Sequence, residues 1–257
     1  MPTEEVLYPL FGDFGLLQLL LIAGMALFAS VIGGVSGYGS GVLMPLVLVP
    51  IVGPEPVVPI LSISALFNNT SRAAAFGRSV DWRRAVVVLP FALPSTMAGA
   101  WIYTRLSGRG AALVIGSMLI ATVPLRWTWK RWGLKLSDRS LAALSLGWGF
   151  VAGGTSGAGI MLLSMLMGVG LQGAAVIATD AVISLGIGLA KVSTFGFAGV
   201  LRASEIAVAL LMGAMAIPGA FLARRLVERM PLHVHTAILD AVVVVGGAMM
   251  VGAAFTH

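Results

Sequence analysis

The chain has 257 residues, of which 58% are hydrophobic and only 10% charged, with a formal net charge of +6. A mean hydropathy of +1.00 and so small a charged fraction, against roughly 25% in soluble domains, exclude a soluble enzyme and mark an integral membrane protein. The 33 glycines suit transmembrane helices packing backbone to backbone, and the alternating pattern of a barrel is missing. The expected fold is therefore an all-α polytopic bundle of about 8–10 membrane segments forming one domain over the whole chain.

Taken in order, apolar runs fall at about 15–33, 41–53, 56–77, 84–105, 109–125, 139–152, 158–170, 173–199, 204–223 and 235–255. The first is preceded by Glu4, Glu5 and Asp13 rather than by basic residues, so it lacks the positive start of a cleaved signal peptide and is read as retained. The runs 41–53 and 158–170 fall short of the about 20 residues a perpendicular crossing needs. Each follows a glycine-serine break, GGVSGYGSG at 33–41 and GGTSGAG at 153–159, which points to half-helices or re-entrant pieces.

The basic residues sit mostly in short loops, a pattern of membrane orientation rather than of nucleic-acid binding. The densest cluster, Arg126, Lys130, Arg131 and Lys135 among Trp127, Trp129 and Trp132, is assigned to the cytoplasm as a loop over about 126–138. Counting crossings from it puts Arg78, Arg83 and Arg84 inside, the 199–204 loop outside and both termini on the non-cytoplasmic side, the periplasm if the membrane is a cell inner membrane. Arg105 and Arg109 are the awkward placement. The chain has no cysteine, and His233, His235 and His257 make no ligand cluster, so no metal, no cofactor and no catalytic constellation is expected. The tryptophans fit a lipid interface and a homodimer contact equally well.

Sliding the chain against itself by about 120 residues lays the two glycine breaks over each other. It also lays Arg72, Phe76, Gly77 and Arg83 over Lys191, Phe195, Gly196 and Arg202, and GAWIYTRL at 99–106 over GAFLARRL at 219–226. Loop charge puts the two copies in opposite orientations, giving inverted repeats over about 15–125 and 139–255. Non-helical backbone at membrane depth has to line a polar cavity, and the helix N-termini restarting after each break favour an anion there. The backbone and hydroxyls of Ser36, Gly37, Gly39, Ser156, Gly157 and Gly159 are the candidate donors.

Asn68 and Asn69 precede Arg72 by four and three residues, which places both amides beside the guanidinium on one helix face as a clamp for an oxyanion. The bland alternative is that Arg72 snorkels to the membrane interface. Lys191, aligned with Arg72, lies deeper in its helix, where an unpaired ammonium is expensive. Asp180 has Leu61 opposite it in the repeat; it is read as a proton carrier, as the partner holding Arg72 in the empty state, or as a cap near the helix start with Thr179.

The breaks GGVSGYGSG and GGTSGAG, with NNTSR after the first and a lysine-bearing long helix after the second, resemble the sulfite exporter family TauE/SafE over nearly the whole chain. The resemblance implies export of a small anion such as sulfite, sulfoacetate or another organosulfonate across the bacterial inner membrane, with the glycine breaks, Asn68, Asn69, Arg72 and Lys191 at the site. The second half departs from the first at Ile187 and Gly188, where the amides would stand. The reading is a secondary transporter working by alternating access, with a small anion and the bilayer as partners and no nucleic acid. An anion channel and an importer of a small carboxylate or sulfur-containing anion are the alternatives.

Overall fold

The computed structural model describes residues 11–36, 39–132, 135–227, 248 and 251–252. Among them there is no strand, and nine α-helices follow one another. They are α1 (Leu16–Ser36), α2 (Gly39–Val52), α3 (Val57–Phe76), α4 (Trp82–Tyr103), α5 (Gly108–Trp132), α6 (Asp138–Gly154), α7 (Gly159–Gly168), α8 (Ala174–Phe197) and α9 (Ala203–Val227). Windows in α1, α4, α8 and α9 are long and apolar enough to cross a membrane, so the chain is a multi-pass membrane protein. The run expected at 235–255 lies almost wholly outside the described residues, as do His233, His235 and His257.

Local chemistry sets the helix ends. Asp81 Oδ1 accepts from Arg84 N at 3.0 Å and caps α4. Ser137 Oγ accepts from Ser140 N at 3.2 Å and caps α6. Glu205, in the first turn of α9, reaches back to the Arg202 N–H at 3.0 Å, so these three helix starts find an acceptor for a donor otherwise left unpaired. The short helices came out close to expectation: α2 has 14 residues and α7 has 10, about 21 and 15 Å at the usual rise. The basic stretch after residue 125 differs from the expected loop. It stays helical to Trp132, because tryptophan, arginine and lysine carry little helix penalty and no glycine interrupts before Gly133.

Two apolar cores form, and each borrows from the distant half of the chain. One gathers α1, α2 and α3 with α9 and the adjoining ends of α4 and α5; the other gathers α6, α7 and α8 with the first half of α4. The closest pairings are α4 on α6 and α1 on α9, with α3 against α8 between them. Small residues permit these approaches: Gly149 and Gly153 of α6 lie against Ala92, Thr96 and Ala100 of α4, and Thr96 Oγ1 donates to Gly149 O at 3.0 Å. Where apolar attraction between helices is weak, close van der Waals contact of this kind holds them together. Leu16, Leu17, Leu20, Trp82, Val86 and Phe197 point outward and are largely exposed, as side chains facing acyl chains should be.

Candidate functional site

The second break interrupts helix where backbone groups would otherwise pair internally. There Gly157 takes φ +85°, a left-handed conformation that a side chain disfavours. It turns the chain from α6 into α7. Within the first, α1 is described to Ser36 and α2 from Gly39. The two meet: a Cβ added to Gly41 would stand 2.9 Å from Gly157 N, and one added to Gly157 would stand 3.1 Å from Val42 Cγ2. A larger residue at Gly41 pushes the two breaks apart, and one at Gly157 strains its backbone and crowds the Val42 side chain.

Beside this meeting point lies a cavity of about 140 Å³, lined by the start of α2 (Ser40, Gly41), by Gly157 of the second break, by Gly159 at the start of α7 and by polar residues of α3 and α8. Its volume is well below the roughly 300–1,000 Å³ of drug-sized sites, which limits it to a small ligand. The α3 wall carries Ser64, Asn68, Asn69 and Arg72 at helical spacing; the α8 wall carries Asp180 and Ser184, one turn apart. Arg72 is buried, so its guanidinium does not reach for the interface. Its Nη1 donates to Asn69 Oδ1 at 3.3 Å, and its Nη2 lies 2.8 Å from Asp180 Oδ2. Asn68 Oδ1 accepts from Ser30 Oγ at 3.4 Å, and that hydroxyl also reaches Ala216 O at 2.8 Å, so Asn68 links α3 to α1 and α9.

The structure brings together Asn68, Asn69, Arg72, Gly157, Gly159 and Asp180. It places Lys191 elsewhere: Nζ donates to Ala152 O at 2.8 Å and to Thr155 O at 3.0 Å. A lysine there holds the carbonyl end of α6, where the helix dipole favours a cation. Thr179 Oγ1 accepts from Asp81 N at 2.9 Å and so ties α8 to the entrance of α4 and not to Asp180. Ser156 is buried, and its Oγ has no hydrogen-bond partner among the described residues. Gly37 lies outside those residues; Ser36 and Gly39 are the backbone ends of α1 and α2. Ser40, Ser64 and Ser184 were not anticipated. Ser64 and Ser184 stand one turn from Asn68 and Asp180, and that spacing was the signal that could have found them.

Two larger clefts lack the chemistry for an anion. One of about 410 Å³ between α4, α5 and α6 has an almost wholly apolar lining, including Ile102, Phe150 and Val151. The other, about 290 Å³, carries Glu55 and Glu205 against the single cation Arg202. Of these three spaces, the cavity offering two helix starts, two amides and a guanidinium is suited to a small oxyanion.

The distinct placements of Arg72 and Lys191 predict distinct variants. Lys191→Met should change anion affinity by less than about tenfold, or 1.4 kcal/mol. It should also lower thermal stability in detergent, because two buried carbonyls lose their donor. Ligand titration and a melting curve on the same preparation check both.

Residues 22–250 match the family model described as Sulfite exporter TauE/SafE. No curated protein and no solved structure matches the chain.

Proposed function

Because the chain belongs to the sulfite exporter TauE/SafE family, a family of membrane exporters, we propose that it is a secondary transporter that binds one small sulfite-like or sulfonate-like anion in the central cavity and releases it outward by alternating access. The observation that carries this reading is the convergence of both glycine breaks, Asn68, Asn69 and Arg72 on one small buried space. Backbone donors and a guanidinium recognise tetrahedral or pyramidal oxyanions by charge and by paired hydrogen bonds.

The spacing of contacts supports a duplicated architecture for this movement. Gly99 on α4 is set against Phe150 on α6, and Gly219 on α9 against Ser30 on α1; the two contacts exchange when each residue is replaced by the one 120 positions away. Leu61 and Ala65 line the cavity together with Asp180 and Ser184, which follow them by 119 positions. A site near the axis relating two copies is where rocking of one against the other opens it to either side.

Counterflow of labelled substrate into proteoliposomes, run with sulfite, sulfoacetate, taurine, sulfate and acetate, tests the function. Saturable exchange with one of the sulfur oxyanions is expected, whereas unsaturable flux would indicate a channel and no flux with any of them would remove the reading. Orientation has a separate readout: Lys135→Cys and Ser107→Cys, at opposite ends of α5, should be labelled by an impermeant maleimide from the cytoplasmic and the outer side respectively. Labelling of both from one side would refute the proposed topology.

A further inference from the structure

Arg72 is the one cation, and Asp180 the one anion, among the described residues lining the central cavity. With both ionised the lining carries no net charge, and an entering anion meets a guanidinium already engaged by a carboxylate 2.8 Å away. If Arg72 turns to the anion, the negative charges of anion and Asp180 are left together in a buried space of about 140 Å³. Charges so enclosed interact far more strongly than in water. A carboxylate left without its cation in such a place binds a proton.

We propose that the site takes up one proton with each anion, Asp180 being the proton's seat. The proposal rests on the anion-site reading above and adds its coupling. The atoms that would change partners are in place: Asp180 Oδ1 and Arg72 Nε are both buried without a hydrogen bond among the described residues. The Nε–H and Nη2–H form the guanidinium edge that grips an oxyanion in two places, and Oδ1 takes the proton, with the Ser184 hydroxyl one turn along the same wall. One O–H bond forms on loading. It breaks on release, when the proton leaves to water on the side where the anion leaves and Asp180 recaptures Arg72. The loaded cavity is then as neutral as the empty one. A monovalent anion crosses without net charge, and its direction follows the combined anion and proton gradients and not the membrane potential.

The charged groups on the elements packed against α8 are few. They are Arg72 on α3, Arg78 on the turn Gly77–Ser79, Asp81, Arg83 and Arg84 at the start of α4, and Asp138 and Arg139 on α6; α7 has none. Arg83 and Arg84 are both paired with Asp138, Asp81 caps α4, and Lys191 on α8 itself is bound to carbonyls. Arg72 is the group within ion-pair distance of Asp180.

The test uses purified full-length protein in weakly buffered detergent and the probe 2-hydroxyethanesulfonate, whose sulfonate stays ionised, so that any proton taken up is held by protein. A pH indicator and binding calorimetry read the same titration. Uptake approaching one proton per anion is expected, with affinity falling about tenfold per pH unit where uptake is complete. Asp180→Asn should still bind the probe but with no proton uptake and a flat pH profile. Binding without proton uptake, or an unchanged pH slope in Asp180→Asn, overturns the coupling and leaves the anion site standing. Absence of binding between pH 5.5 and 8 overturns both. If Asp180→Asn does not fold, the proton count of the unaltered protein decides alone.

Discussion

Replacing Arg72 by alanine is expected to lower anion transport by 100-fold or more, equivalent to about 2.7 kcal/mol, the largest functional loss of any single substitution in the cavity. The side chain supplies the charge, the donor to Asn69 and the neutralisation of Asp180. Truncating one member of a buried, hydrogen-bonded charge pair costs about 2–5 kcal/mol, much of it from the charge left behind. That second contribution falls on stability, so Arg72→Ala alone confounds binding with folding. The double variant Arg72→Ala/Asp180→Ala separates them: thermal stability should largely return, because no lone carboxylate remains, while counterflow stays lost. Transport within threefold of the unaltered protein in either variant would eliminate the guanidinium as the anion's partner.

The second large effect is structural. Gly153→Leu should prevent stable assembly, because even a Cβ at this position would collide with the Thr96 carbonyl and crowd Ala100 N at 2.8 Å. Overpacking a core costs about 1–3 kcal/mol when side chains can shift; here the obstruction is main chain on the facing helix, and α4 and α6 must separate. Gly147 offers a control on the same helix, since a Cβ there meets nothing within 4 Å. Gly147→Leu should leave stability unchanged or raise it by up to about 1 kcal/mol through helix propensity. Size-exclusion profiles and melting curves of the two variants in detergent make the comparison, and equal behaviour would show that the α4–α6 contact does not hold the bundle.

The sequence made the helices legible because hydrocarbon forces a simple rule on it. Backbone must be helical unless polar surroundings excuse it, so GGVSGYGSG and GGTSGAG stood out, and α2 and α7 began within about two residues of expectation. Arg72 and Asp180 were legible for a related reason: at membrane depth so few charges exist that each needs a partner, and Arg72 is one of the partners the sequence offers Asp180. Lys191 was harder. Its alignment with Arg72 marks a position along a helix, but the acceptors within reach differ, and on α8 they are the carbonyls of Ala152 and Thr155. Which glycines interlock was not legible either. Small residues announce close packing, but only the tertiary arrangement pairs Gly99 with Phe150 and Gly219 with Ser30.

That exchange of helices between the two ends of the polypeptide has a consequence for how the protein is made. α1 packs mainly on α2 and α9, yet about 170 residues of chain must follow it before α9 emerges. At about 5–20 residues per second that is a wait of roughly ten to thirty seconds, during which Ser30 and the small-residue face of α1 stand without their mate. The nascent chain therefore has reason to stay beside the insertion machinery until its last helices arrive. Truncations ending just before residue 203 should be recognised and degraded as orphans, even though they contain every residue described as lining the cavity.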